Sequence, residues 1–298
     1  EHWKYKNYLQ VFWRRWNLFI LLAYSKKSKQ YILESKLVSY IIPIWEKSSV
    51  EELESSINSL IPEDPLIQEI IIVFDGYESF NKEIIFPKKF FKKIKFIYCG
   101  INNGPGIARN KGVLFSKSEY ILFLDCGDQS VSNRAKIQIK SLKKDDVSFG
   151  NIREISPLGK ESIRKGSSTY LRAKRLIGFR NPFNNVTMAI KKKSFLEIGG
   201  YANLRVAEDW VLMGKILKKE LKISFLDMEL VKVFTGQDFI RRRHGKKYFE
   251  EINKCLVILL ELKLINKLIY CMSFSILFIT RCFLPQRILF LIYRFLRK

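Results

Sequence analysis

The residues able to do acid–base or metal chemistry in this chain are carboxylates, and they fall at recurrent places. Asp75 closes the run EIIIVF, Asp125 and Asp128 stand in DCGD after YILFL, and Glu208 and Asp209 sit together in AEDW. A carboxylate ending a buried strand can accept hydrogen bonds from a nucleobase N–H or a ribose hydroxyl, although Asp-Gly is also a common turn. A D-x-G-D turn can aim hard oxygen ligands at Mg²⁺ or Mn²⁺ held by phosphates, or simply be a loop. An acid at a helix start can act as a general base or merely complement the helix dipole.

Other chemistries lack material. The only histidines are His2 and His244, both outside the central region, so Ser-His-Asp, Cys-His and multi-histidine metal sites are excluded there. The five cysteines form no C-x-x-C pair, which argues against a disulfide framework or zinc cluster and for a reducing cytoplasm.

The elements that must position these acids can be read from hydrophobic runs. Leu37–Ile44 is a near-continuous apolar run, as expected of a strand buried on both faces of a parallel sheet, and a helix over Ser48–Leu60 should follow. Glu69–Phe74, Ile94–Tyr98 and Tyr120–Leu124 continue the rhythm, with a helix from about Gly106 to Phe115 before the last. Such alternation predicts a parallel sheet covered by helices, with ligands at the carboxyl ends of the strands. Three of the four strand ends carry acids: Glu46 after Trp45, Asp75, and DCGD; the remaining end is Asn102–Gly104. A second half beginning near Asp146 should hold strands at Val147–Ile152, Val186–Ile190 and Ile223–Leu226, with Glu208 and Asp209 opening a helix.

The joint pattern resembles the family 2 glycosyltransferases of GT-A fold, of the bacterial surface-polysaccharide type, from about Val38 to the C-terminus. VSYIIPIW is similar to that family's opening strand and IIIVFDG to its nucleotide-binding turn. NNGPGIARNKGV matches its A-R-N segment, ILFLDCGD its D-x-D region, and NPFNNVTMAIKKKSFLEIGGY followed by AEDW its acceptor side. The resemblance implies a Rossmann-like, mostly parallel sheet flanked by helices, and inverting transfer of a sugar from a nucleotide diphosphate, UDP by default, to a glycan hydroxyl. It implies Asp209 as catalytic base, oriented by Glu208, with Gly200 and Tyr201 on the acceptor side. Asp125 and Asp128 would serve donor and metal, Mg²⁺ or Mn²⁺. Pro43, Trp45, Asp75, Asn103, Gly104 and Arg109 would line the donor pocket, with Asn110 shaping it. Two positions depart: Gly127 stands where the commonest metal-binding Asp would be, and Phe74 replaces the first Asp of D-D-G-S. QDFIRRRHGKKYF resembles the R-R-x-G-x-x-Y stretch of related transferases, whose Arg242 and Arg243 could clamp diphosphate bidentately or form a solvated basic face.

Charge divides the chain. Of its net +24, the span 37–240 keeps +8, and 1–36 and 241–298 hold the other sixteen. We therefore expect a central GT-A domain over 37–240 between a basic aromatic N-terminal arm (1–36) and basic amphipathic C-terminal helices (241–298). Basic residues interleaved with large apolar ones suit an anionic membrane surface better than nucleic acid. The longest uncharged run of the tail, Leu268–Thr280, is 13 residues, against about twenty needed to span a bilayer. LPQRILFLIYRFLRK places Ile288, Leu291, Ile292 and Phe295 on one helical face, as an interfacial helix would. With no secretory signal read at the start, the expectation is a cytoplasmic enzyme, peripheral on the inner membrane face, whose acceptor is a glycan on polyprenyl diphosphate. The alternatives are a basic RNA-binding protein or a non-catalytic scaffold of the same fold.

Overall fold

Near-continuous apolar runs are stable as strands only where both faces are covered. The computed structural model describes residues 37–76, 90, 92–236, 243–285 and 288. In it, three such runs and a partly exposed edge strand lie side by side and parallel, in the order β3 (Ile94–Cys99, the edge), β2 (Ile67–Asp75), β1 (Val38–Trp45), β4 (Tyr120–Phe123). Ile41, Ile71, Val73, Ile121 and Phe123 enter one core; Tyr40, Ile42, Ile70, Ile72 and Leu122 enter the other. This is the two-residue period of a strand filling two layers at once. The register sets Trp45 beside Asp75 and Asp75 beside Cys99, so the carboxyl ends open level on one side.

Past β4 the sheet changes direction. The short β8 (Ala189–Lys191) runs antiparallel to β4, β6 (Val147–Ile155) antiparallel to β8, and β9 (Ile223–Phe234) parallel to β6. Two small strands complete nine: β5 (Gln129–Ser130) on β9 and β7 (Glu161–Arg164) on β6. The strand expected at Val186–Ile190 begins later, because Asn185–Thr187 is a 3₁₀ turn tied by the Thr187 hydroxyl donating to the Asn184 carbonyl. The strand expected at Ile223–Leu226 runs on to Phe234, and its register against β6 slips at Asn151, which interrupts the clean alternation a sequence pattern needs.

Helices cover both faces. α1 (Val50–Ser59) starts at a capping box, Ser49 with Glu52, and with α3 (Arg134–Leu142) covers one face. On the other face lie α2 (Pro105–Phe115), α4 (Tyr170–Leu176), α5 (Lys192–Glu197) and α6 (Glu208–Lys218). α7 (Lys246–Glu261) buries Phe249, Ile252, Leu256 and Leu259 in the same core as Val211 and Leu212 of α6. α8 (Lys267–Phe278) packs outside it, followed by a π turn, Ile279–Phe283. The N-terminal arm and nearly all of the terminal helix expected from Leu284 lie outside the described residues.

Candidate active site

The carboxyl ends of β1, β2 and β4 and the starts of α2 and α6 converge on one region. Arg109, in the second turn of α2, is its centre. The guanidinium is buried, donates to Asp125 Oδ1 at 2.7 Å and to Glu208 Oε1 at 3.1 Å, and lies 5.4 Å from the centre of the Tyr201 ring. One buried side chain thus joins the end of β4 to the start of α6. Burial opposes its charge, but Asp125, Tyr201 and Glu208 more than offset this, so Arg109 stays cationic.

Asn110 holds the next piece. Its side chain donates to the Tyr201 carbonyl and accepts the Tyr201 N–H, both at 2.9 Å. The G-G-Y turn is thereby clamped to α2, and the Tyr201 hydroxyl donates to Asn185 at 2.9 Å. Gly106 explains why α2 and α6 can approach: a Cβ there would sit 2.8 Å from Glu208 Cγ and 3.1 Å from Tyr201 Cβ.

Glu208 and Asp209 are adjacent but face different surroundings. α6 starts from Ala207 in the left-handed region (φ 61°), a conformation that costs about 1–2 kcal/mol and turns the first helical residues sharply out of the preceding loop. Glu208 points inward to Arg109, and burial, reinforced by Asp209 and opposed by Arg109, pushes its carboxyl up to about 7. Asp209 stays partly open: one oxygen accepts from Asn181 at 2.9 Å and the other from the Trp210 N–H at 2.8 Å.

On the donor side, Asp75 is buried and accepts the N–H of Asn103 at 2.9 Å and of Gly104 at 2.8 Å. It therefore shapes the loop that starts α2, and only its remaining lone pairs are left for a ligand to meet. Pro43 is half-buried on β1, Trp45 is partly exposed at its end, and Asn103 is exposed at the rim. Arg243 is half-buried at the chain's return before α7, and Arg242 lies outside the described residues.

The DCGD turn closes through the Asp128 N–H donating to the Asp125 carbonyl at 3.0 Å. It is held from α1, since the Gly127 N–H reaches the Ser56 hydroxyl at 2.9 Å and the Ser130 N–H reaches Ser59 at 3.0 Å. Asp125 is half-exposed, whereas burial and the charge of Asp125 push the buried Asp128 carboxyl well upward. A buried Asp128 whose charge is opposed by burial and by Asp125 suits a divalent cation, which would offset both. No cluster of three His, Cys, Asp or Glu residues with ligand geometry exists among the described residues. Two protein carboxylates completed by substrate phosphate oxygens is nevertheless an ordinary arrangement for Mg²⁺.

A profile described as glycosyl transferase family 2 matches residues 39–199, more than half of the chain. The chain belongs to that family. A protein of Haemophilus influenzae described as an uncharacterized glycosyltransferase is 27% identical over 215 residues, 70% of this chain and 79% of that one. The Escherichia coli UDP-Gal:alpha-D-GlcNAc-diphosphoundecaprenol beta-1,3-galactosyltransferase is 27% identical over 216 residues, 70% and 78% of the two chains. Among solved structures, Staphylococcus aureus TarS 1–349 in complex with UDP-GlcNAc superposes with a TM-score of 0.58 at 19% identity, over 82% of this chain and 73% of that one. The match spans 44% of the longer TarS chain. The architecture is the GT-A fold.

In this glycosyltransferase the structure adds residues that the sequence pattern does not single out. Asn181, which touches Asp209, opens the NPFNNVTMAIKKKSFLEIGGY segment whose resemblance to the family's acceptor side names no role for this residue. Arg134 opens α3 fully buried, donating to the Phe123 and Val186 carbonyls at 3.0 Å and to Gln138 at 2.9 Å. It places a cation behind the DCGD turn, where Asp125 and Asp128 both feel it. Its only sequence signal is an arginine among otherwise ordinary helix residues, which reads as surface.

Proposed function

We propose that this glycosyltransferase transfers a sugar from a UDP-sugar, with inversion, to a hydroxyl of a glycan acceptor carried on polyprenyl diphosphate, in surface-polysaccharide synthesis. The observation that carries the proposal is the pairing at the start of α6. Glu208 is locked inward on Arg109, while Asp209, held by Asn181 and its own helix N–H, keeps free lone pairs on the open side. The names of the E. coli relative and of the TarS complex support a UDP-sugar donor, and the former supports a lipid-diphosphate acceptor.

In the proposed reaction Asp209 takes the proton of the acceptor hydroxyl as its oxygen attacks the anomeric carbon in line with the departing diphosphate. Inversion follows from a single displacement. Asp75 and the Asn103–Gly104 loop hold the nucleoside end, and Arg109 keeps Asp125 aimed at the donor. Mg²⁺ or Mn²⁺, held by Asp125 and Asp128 with diphosphate oxygens, would neutralise charge on the leaving group. A chain of net charge +24 would work at the cytoplasmic face of a membrane as a peripheral protein.

The test is Asp209→Asn. Transfer should fall by about 10²–10⁴-fold while UDP or UDP-sugar still raises the melting temperature as in the wild type. Near-normal turnover would remove Asp209 as the base. The anomeric configuration of the product, read by proton NMR against that of the donor, checks inversion directly.

A further inference from the structure

α8 presents an inverted arrangement. From Leu268 to Phe278 it has no charged residue, and its outer face is apolar: Leu268, Met272 and Ile276 are 67%, 48% and 49% exposed, and Ile279 beyond it 53%. These positions follow one helical stripe. A helix apolar all round is ordinarily buried on all sides, yet no helix among the described residues is long and apolar enough to cross a membrane. The face needs a cover that is apolar and flat, lying along the helix.

The surroundings say what kind of cover. α8 packs closely on the end of α4: a Cβ at Gly178 would fall 2.6 Å from Ile269. Lys174 and Arg175 of α4 thus stand beside α8, both exposed, with Leu171 67% exposed among them, and Arg172 is exposed on the same helix. A shallow cleft between the two helices, about 390 Å³, is lined by Lys174, Arg175 and Lys263 together with Leu171 and Ile269. No acidic residue pairs with these three cations among the described residues. After Glu261 the chain contains seven Lys or Arg and no Asp or Glu. Burial and the neighbouring Arg172 both work against the charge on Arg180, a repulsion that an anionic headgroup would relieve.

We propose that α4 and the outer face of α8 form one platform that docks on an anionic phospholipid surface, the α8 stripe entering the acyl boundary and the α4 cations meeting headgroup phosphates. An apolar stripe beside cations that have no acidic partner among the described residues is the chemistry of an interfacial helix. The platform also leads into the reaction centre. The Trp210 indole N–H donates to the Ile177 carbonyl at 2.7 Å, fixing the end of α4 to α6, and Asn181 follows Arg180 directly to hold Asp209. An acceptor carried on a lipid would thereby arrive beside the base. That last point rests on the proposed lipid-linked acceptor; the docking itself does not.

Flotation of the full chain with vesicles tests the proposal. Vesicles of phosphatidylcholine containing phosphatidylglycerol should carry the protein, and pure phosphatidylcholine vesicles much less, with association falling as salt rises. The exposed changes Leu268→Glu with Ile276→Glu, and separately Arg172→Ala with Arg175→Ala, should each weaken association by roughly tenfold or more, whereas Leu158→Glu on the remote β6–β7 turn should not. Cys271, exposed on α8, offers a second readout: a polarity-sensitive dye there should shift to the blue on vesicle addition. Wild-type protein that does not float, or α8 variants that float unchanged, would overturn the proposal. So would light scattering showing a dimer that Leu268→Glu with Ile276→Glu converts to a monomer, since a second copy would then cover the face. UDP-induced stabilisation on the same preparation reports the transferase reading separately.

Discussion

Replacing Glu208 by glutamine should change how stability depends on pH. Burial and the adjacent Asp209 lift this carboxyl from its ordinary 4.5 to about 7, despite the Arg109 guanidinium at 3.1 Å. A carboxyl whose folded pKa lies above its unfolded value binds more proton in the folded state. Its contribution is therefore fully present below the unfolded value and is lost as pH rises through the window from about 4.5 to about 7. That displacement corresponds to roughly 3 kcal/mol of stability lost across the window. Glutamine keeps the shape and one acceptor for Arg109 but does not titrate, and Arg109 keeps Asp125 as its counter-charge. Urea unfolding of wild type and Glu208→Gln at a series of pH values isolates the effect, because every other group is common to both. The unfolding free energy of the wild type minus that of the variant should fall by roughly 3 kcal/mol from about pH 4.5 to about pH 8, with the slope concentrated below 7. A difference that is flat, or that rises with pH, would refute the assignment of Glu208 as a buried acid that Arg109 only partly compensates.

Three further outcomes follow from packing and burial. Gly106→Ala should destabilise the fold by about 1–3 kcal/mol, read from the urea midpoint, because its Cβ would lie 2.8 Å from Glu208 Cγ with Tyr201 behind it. Gly127→Asp, which restores the commoner acid to the D-x-D position, should cost about 1–2 kcal/mol and leave Mn²⁺ affinity by calorimetry no tighter. The residue sits at φ 94° with its Cβ direction 3.6 Å from Glu52, so the new carboxylate would be strained and face a like charge. Cys126 should resist iodoacetamide at neutral pH while Cys271 reacts, as mass spectrometry of tryptic peptides would show: burial, with Glu52 nearby, pushes the Cys126 thiol up to about 12, and Cys271 is exposed.

What the sequence made legible was whatever a short pattern fully determines. β1, β2 and β4 were visible because strands buried on both faces must be apolar throughout, and the edge strand β3 because its apolar residues outnumber Lys95; their ends fell within two residues of the expected positions. The acids at those ends were visible because a polar residue directly after such a run marks where the chain leaves the core and meets the ligand side of the sheet. The second half was less legible for a physical reason. β9 pairs along one edge with β6, exposes part of its length and crosses a register slip, so Asp227, Glu229 and Lys232 interrupt the hydrophobic period. α3 and α4 carry too many cations for an amphipathic pattern to show. Arg134 is fully buried, and only three-dimensional structure shows that its charge is directed to the Phe123 and Val186 carbonyls. Asn181 fell inside the acceptor-side segment, but its contact with Asp209 could not be read there, since it depends on α4 being fastened to α6 through Trp210.

The start of α6 shows why two neighbouring acids need not share a role. Both occupy the first turn of one helix, where the dipole favours a carboxylate at either position. Their environments separate them. Glu208 is desolvated and tied to a cation that is itself tied to Asp125, so moving its proton would disturb the whole Asp125–Arg109–Glu208 bridge. Among the described residues, Asp209 accepts only from neutral N–H donors, Asn181 and Trp210, which orient its carboxylate without supplying a counter-charge. The proposed base is Asp209 because it would gain a proton without loss of an ion pair, whereas a proton on Glu208 weakens its pairing with Arg109. In the proposed reaction Glu208 would then be a positioning residue: through Arg109 it ties the start of α6 to Asp125 at the end of β4, and so would set how far Asp209 stands from a sugar held there.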